Sequence, residues 1–141
     1  MDFPTAVRTC LSKYVTFEGR ARRAEYWWFV LFGVLVGVAA SILDWMLFGY
    51  VVMGPGMSMS MMVWRSPIYH LVMLALFLPH LAAAVRRLHD TDRSGWWYLL
   101  IFVPLIGAII LIVWFATRGT QGPNRFGPDP IGPDGYSAAS A

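Results

Sequence analysis

The sequence predicts an all-α integral membrane protein, in which an N-terminal amphipathic helix at the membrane interface precedes three transmembrane helices. Two observations carry this fold class. Hydrophobic residues make up 57% of the 141 residues and charged residues 13%, against roughly half and roughly a quarter in average globular domains. Three long runs are almost free of charge, and none shows the alternation that a barrel strand needs.

The first predicted element precedes the long apolar runs. Its apolar residues recur at helical spacing, and they are Phe3, Ala6, Val7, Cys10, Leu11 and Tyr14. We expect a short helix that lies along the membrane surface. The alternative is an ordinary helix that packs on the protein's own loops. Cys10 is the single cysteine, which excludes an internal disulfide.

The three apolar runs predict spans at about residues 26–53, 68–85 and 96–116. A helix over residues 26–44 covers about 27 Å at ~1.5 Å per residue, close to the ~30 Å hydrocarbon core. Pro104 and Gly107 divide the third run. We favour a complete third span, with or without a kink there, over a re-entrant hairpin. Residues 1–130 are expected to form one membrane domain, and 131–141 a disordered tail.

Basic residues predict the orientation. Five precede the first run, one lies between the first and second runs, and three lie between the second and third. The positive-inside rule places the N-terminus and the 86–95 loop in the cytoplasm and the 54–67 loop outside. Three complete spans leave the C-terminal tail outside. A re-entrant third run would place ten of the eleven basic residues inside.

Small and aromatic residues suggest how the spans are held. Paired tryptophans at the start of the first and third spans should anchor them at the interface, and they are Trp27, Trp28, Trp96 and Trp97. In the first span, Gly33, Gly37 and Ser41 are four residues apart, a spacing that allows close helix packing. The partner helix is either in the same chain or in a second copy, so Gly33 and Gly37 allow a homo-oligomer.

The segment RRLHDTDRSGWW (86–97) carries the densest polar chemistry. Arg86 and Arg87 can pair with Asp90 and Asp92, which leaves His89 as the one group of this segment that titrates near neutral pH. A His-Asp pair without a serine or cysteine nucleophile is weak evidence for catalysis, so we expect a protein that is not an enzyme. Because the charges lie beside apolar runs, we expect no nucleic-acid partner.

We expect neither a cofactor nor a metal site. No two histidines have a spacing that lets them share an ion within one helix. A weak alternative is a Cu(I) site of alternating thioethers in the outer loop, formed by Met57, Met59, Met61 and Met62. A flexible apolar loop at the bilayer edge explains the same methionines.

Three separated stretches resemble one family. They are FEGRARRAEYWW (17–28), RRLHDTDRSGWW (86–97) and GTQGPNRFGPDP (119–130), together with Pro-x-x-Gly at 104–107. In this combination they resemble domain of unknown function 805, the DUF 805 family, over nearly the whole chain. The resemblance implies a multi-pass protein of the bacterial inner (plasma) membrane and supplies no established activity. Asp92 stands where many members carry glycine.

The function predicted from these observations is binding. The charged motifs flank the cytoplasmic ends of spans and could meet in one cluster that binds an anionic lipid head group or another membrane protein. The candidate residues are Arg20, Arg23, Glu25, Arg86, Arg87, His89, Asp90, Asn124 and Arg125. One alternative is an oligomeric small-solute or ion transporter with Asp44 or His80 on its path. Another is a membrane enzyme that uses His89 and Asp90 on a lipid-linked substrate.

Overall fold

A computed structural model of the chain describes residues 1–52 and 66–132. In that part of the chain every regular element is helical, which confirms the all-α class. The elements are α1 (Phe3–Ser12), α2 (Arg23–Val52), α3 (Pro67–Asp90), a 3₁₀ helix (Gly95–Phe102) and α4 (Ile106–Ala116). The predicted methionine site at residues 57–62 lies outside the described residues, as does the predicted disordered tail beyond residue 132.

Two helices are long and apolar enough to cross a membrane by length and composition, Arg23–Phe48 of α2 and Pro67–Asp90, the whole of α3. Only 22% and 28% of their most apolar stretches are buried within the protein, so most of these side chains face outward. The helix α3 continues past the predicted end of the second span at residue 85. Arg86 and Arg87 therefore lie within the helix, one turn before its last residue, Asp90.

Contacts divide the chain into two compact units. The polar unit comprises Met1–Phe29 and the chain from Pro79 onward, and the apolar unit comprises Val30–Leu78. The core of the polar unit is formed by Ala84, Leu88, Leu111 and Phe115, from α3 and α4.

The apolar unit places α2 close to α3 at Gly37. A Cβ atom there would lie 3.2 Å from Met73 Cε and 3.4 Å from a Tyr69 ring carbon. Gly37 therefore packs on a helix of its own chain, and this part of the glycine row is not a free surface for a second copy.

A carboxylate completes the start of α3 in the same unit. Asp44 is only 4% exposed, and its two oxygens accept hydrogen bonds from the backbone N–H groups of Ile68 (3.1 Å) and Tyr69 (2.8 Å). The first N–H groups of a helix have no partner within the helix, and a carboxylate satisfies them best. Asp44 is thus a helix cap supplied from another helix.

The helix α1 forms where the sequence predicts it. Asp2 caps it through Thr5 N–H at 3.0 Å, and Pro4 occupies its first turn. Ala6 and Cys10 are fully buried against the protein, whereas Leu11 on the same helix is 38% exposed. The apolar face is thus partly covered by the chain itself, and its place on a membrane surface stays a prediction.

The predicted single helix over the third apolar run does not form. The run begins as a 3₁₀ helix capped by Ser94 and ends as α4, and Leu105 between them has φ +62°. Pro104 cannot donate a backbone hydrogen bond, so the helix breaks there. A Cβ on Gly107 would lie 1.7 Å from the Leu100 carbonyl oxygen, which places the two halves in direct contact. The third run is a helical hairpin.

Candidate functional site

The predicted charged residues meet in the polar unit. We use the name polar cluster for its five buried members, Arg20, Glu25, Arg86, Arg87 and Asp90. Three come from the last turns of α3, where residues three or four apart share one face. Glu25 comes from the first turn of α2, and Arg20 from the segment before it.

Arg86 pairs with Glu25. Its Nη1 donates to Glu25 Oε1, and the two side chains are 0% and 4% exposed. Arg86 Nε and Nη2 are buried with no hydrogen-bond partner among the described residues. Cys10 lies beside the same carboxylate oxygen, with Sγ 3.8 Å from Glu25 Oε1. Burial, and after it the negative charge of Glu25, raises the pKa of the Cys10 thiol to about 12. Cys10 therefore stays protonated at neutral pH.

Asp90 joins two arginines. Its Oδ1 accepts from Arg20 Nε at 3.0 Å, and its Oδ2 accepts from Arg87 Nη1. All three side chains are no more than 3% exposed. A buried guanidinium is very costly unless it is paired, so Asp90 is what allows both cations to be buried.

Arg20 also binds the C-terminal segment. Its Nη1 donates to Gly122 O at 2.6 Å, and its Nη2 donates to Thr120 O at 2.5 Å. Thr120 N–H donates in turn to Asp90 O at 2.8 Å. A Cβ on Gly119 would lie 2.0 Å from Asp90 Oδ2, so this position has no room for a side chain. The glycine-rich motif is held on the cluster through its backbone.

Arg87 binds the end of the hairpin. Its Nε donates to Phe115 O at 3.0 Å, and its Nη2 donates to Thr117 O. Arg23 Nη1 donates to Ala116 O at 3.3 Å. The last carbonyls of a helix have no partner within it and carry partial negative charge, so two arginines complete α4.

His89 holds the C-terminal segment by its ring. Its Nδ1 is 3.0 Å from Gly19 O, which assigns the proton to Nδ1 because a carbonyl can only accept. The ring stacks on Phe126 with centroids 4.0 Å apart, and Asn124 Nδ2 donates to His89 O at 2.9 Å. Asp90 is hydrogen-bonded to two arginines, and His89 Nδ1 is hydrogen-bonded to Gly19 O. These two side chains therefore do not form the His-Asp pair of a catalytic relay.

Arg125 is an exposed member of the predicted set, as is Arg23. Arg125 pairs with Asp92 at 3.3 Å, with 61% and 51% of the two side chains exposed. Such a pair contributes little to stability. Asp92 has φ +58°, so the turn after α3 forms at this position although glycine is absent.

A second group of basic residues lies around the C-terminal end of α4. Arg93 stacks over the Trp114 ring at 4.4 Å, and Trp97 meets the same ring edge-on at 5.7 Å. The Arg23 side chain binds the backbone carbonyl of Ala116, and the exposed Arg118 follows Ala116 by two residues in the chain. We call Arg23, Arg93 and Arg118 the basic rim. Of these three residues, only Arg23 was among the candidates predicted from the sequence.

The remaining predicted anchors are exposed, with Trp27 at 39%, Trp28 at 38% and Trp96 at 80%. Phe126 and the carbonyls at the end of α4 were not identified from the sequence, because a stacking ring and backbone acceptors have no distinctive pattern. Within residues 1–52 and 66–132, no group of three or more His, Cys, Asp or Glu could hold a metal ion.

Comparison with known proteins gives one consistent result. Residues 14–128 match the family described as a protein of unknown function, DUF805. The chain is 49% identical over 120 residues to inner membrane protein YhaI of Escherichia coli (strain K12), covering 85% of this chain and 90% of that protein. It is 46% identical over 120 residues to inner membrane protein YhaH of the same strain, covering 85% and 91%. No solved structure matches the chain. A match over residues 14–128, most of the chain, means that the chain belongs to the DUF805 family.

Proposed function

We propose that this protein is an integral protein of the bacterial inner membrane that binds anionic lipid head groups at its cytoplasmic face. The inner-membrane relatives and the two long apolar helices support the location. The observation that carries the binding function is the basic rim, where three arginines surround the end of one apolar helix beside Trp97 and Trp114.

The two groups of arginines have different roles in this proposal. Arg86 and Arg87 are 0% exposed, so a lipid phosphate cannot reach them without unfolding. The polar cluster is the frame that holds α2, α3, the hairpin and the C-terminal segment together. Arg23 and Arg118 are exposed and stand at the ends of apolar segments, where head groups lie.

The chemistry of the rim fits a phosphate. Guanidinium groups donate two parallel hydrogen bonds to phosphate oxygens, and exposed tryptophans are most stable at the level of the head groups. Each basic residue near an anionic surface contributes about 1 kcal/mol to attraction. The positive-inside rule places this many arginines on the cytoplasmic side.

The test is lipid binding by the intact protein in detergent. Native mass spectrometry with added phosphatidylglycerol would compare wild type with the Arg23→Gln, Arg118→Gln double variant. Losing two contacts of about 1 kcal/mol each should weaken binding about 30-fold. Arg8→Gln, an exposed arginine of α1, is the matched control and should bind as wild type does.

Two outcomes would contradict the proposal. Equal phosphatidylglycerol binding by wild type and the double variant would remove the rim as the site. Equal binding of phosphatidylethanolamine and phosphatidylglycerol by wild type would remove the selectivity for anionic lipid. A polypeptide that co-purifies with wild type and is lost from the double variant would instead make the rim a protein interface.

The two alternative functions find no such support. The transport hypothesis placed Asp44 or His80 on a path. The Asp44 carboxylate caps α3, and the His80 ring packs on Phe29 with centroids 4.4 Å apart. The enzyme hypothesis needs His89 and Asp90 to act together, and each is engaged elsewhere.

A further inference from the structure

We infer that residues 95–116 form a re-entrant hairpin that enters the cytoplasmic leaflet and leaves it on the same side, surrounded by the acyl chains of that leaflet. This inference concerns the lipid tails and the topology of the chain, and it holds whether or not the basic rim binds head groups.

The two ends of the hairpin are held together. Trp97, near its start, contacts Trp114 near its end, and Arg93 stacks over the same ring. Arg87, one turn before the end of α3, donates to the carbonyls of Phe115 and Thr117. A segment whose two ends contact the same side chains cannot have those ends on opposite sides of a membrane.

The dimensions of the hairpin fit one leaflet. The 11 residues of α4 extend about 16 Å at ~1.5 Å per residue, and the eight residues of the 3₁₀ helix extend about 16 Å at ~2.0 Å per residue. The hydrocarbon core is ~30 Å thick, so each arm reaches about its middle.

The surface of the hairpin fits acyl chains. No charged residue occurs between residues 94 and 117. At its tip, Phe102 and Leu105 are each 78% exposed and Ile106 is 65% exposed. An apolar surface of this kind is unfavourable in water and favourable in lipid.

The backbone at the tip fits a medium without water. Pro104 has no N–H group to satisfy. Val103 N–H donates to Leu100 O at 2.9 Å, Ile106 N–H to Pro104 O at 2.7 Å, and Gly107 N–H to Val103 O at 3.1 Å. These three bonds satisfy the N–H groups of Val103, Ile106 and Gly107 within the chain, which lowers the cost of placing this segment in a medium without water.

The charge distribution favours the same topology. With the hairpin, ten of the eleven basic residues lie on one side, and only Arg65 lies on the other. A complete third span would place Arg118 and Arg125 outside, against the positive-inside rule.

The test is the sidedness of the C-terminal segment in the full-length protein. Single cysteines would be placed at three exposed positions of a Cys10→Ala chain, Glu18→Cys, Gln121→Cys and Pro67→Cys. A membrane-impermeant maleimide would then be added to right-side-out and to inside-out vesicles. We expect Glu18→Cys and Gln121→Cys to react only in inside-out vesicles, and Pro67→Cys only in right-side-out vesicles. Reaction of Gln121→Cys from the same side as Pro67→Cys would overturn the inference.

A second measurement covers the hairpin itself. In vesicles, a Trp97→Cys, Trp114→Cys pair should form an intramolecular crosslink with a short bifunctional maleimide, whereas a straight span would hold the two cysteines about 25 Å apart.

A single Leu105→Cys variant tests whether lipid or protein surrounds the tip of the hairpin. Quenching of a fluorophore at this cysteine by lipids brominated on their acyl chains is expected. Efficient crosslinking between two copies at Leu105→Cys, without such quenching, would assign the tip to a protein interface and overturn the lipid contact.

Discussion

The apolar unit and the polar unit each bury aspartate, and they use it differently. In the apolar unit, Asp44 accepts two backbone N–H groups at the start of α3. In the polar unit, Asp90 accepts from Arg20 and Arg87. One carboxylate thus completes a helix through backbone N–H groups, and the other pairs with two buried guanidinium groups.

This difference follows from what each unit must hold. The apolar unit contains two helix segments whose contacts are between apolar and small residues, as at Gly37 and Met73. The polar unit must hold segments rich in glycine and proline, which cannot form regular elements of their own. Arginine side chains that donate to backbone carbonyls replace the missing backbone hydrogen bonds, as Arg20 does at Thr120 and Gly122.

Replacing the buried aspartate of each unit by asparagine should give the largest difference in the free energy of unfolding. Asp90→Asn removes the negative charge that pairs with two buried arginines, and we expect a loss of about 3–5 kcal/mol in the free energy of unfolding. Asp44→Asn keeps an oxygen that can accept from a helix N-terminus, so we expect a loss of about 1 kcal/mol or less. Denaturant unfolding of the detergent-solubilised protein, followed by tryptophan fluorescence, measures both.

Asp92→Asn is the matched control for this contrast. Its ion pair with Arg125 is more than half exposed on both sides, so the change should be within about 1 kcal/mol. If Asp90→Asn were as mild as Asp92→Asn, the polar cluster would not be held by charge. If Asp44→Asn were as severe as Asp90→Asn, the Asp44 carboxylate would do more than cap a helix.

Glycine-to-alanine substitutions give a smaller contrast. Gly107→Ala places a methyl group against the backbone carbonyl of Leu100, which cannot move aside, and we expect a loss of about 1–3 kcal/mol. Gly37→Ala meets the flexible end of Met73 at 3.2 Å and gains up to about 1 kcal/mol of helix propensity, so we expect little net change. Midpoints of thermal unfolding rank the two, and equal losses would mean that the hairpin is not closely packed at Gly107.

The smallest effect concerns the reactivity of Cys10. Its pKa is raised from 9.0 to about 12, so the thiol should react with N-ethylmaleimide far more slowly than Gln121→Cys in the same folded chain at pH 7.5. Fast labelling of the folded protein would mean that Cys10 is not buried against Glu25.

The same pKa shift makes stability depend on pH, because the thiol of the unfolded chain releases its proton at lower pH than the thiol of the folded chain. This contribution to stability is thus complete below pH 9.0, is lost as the pH rises to about 12, and is absent in Cys10→Ala.

Much of the local structure could be predicted from the sequence. Uncharged runs predicted α2 and α3, and the spacing of Phe3, Ala6 and Cys10 predicted α1. Pro104 and Gly107 marked the point where the third run breaks, although the favoured outcome was a complete span. The members of the polar cluster were also identified, because the charged motifs flank the ends of the apolar runs.

The amino-acid sequence by itself determined which segments are helical and which residues carry charge beside them, because hydropathy, proline and glycine act over a few neighbouring residues. Only the tertiary structure decided that Arg86 and Arg87 are buried, that Asp44 caps a helix 24 residues away, and that the third run folds back on itself. Arg20 meets carbonyls 100 and 102 residues further along the chain. Such contacts depend on how distant segments pack, and a buried arginine and an exposed one have the same letter in the sequence.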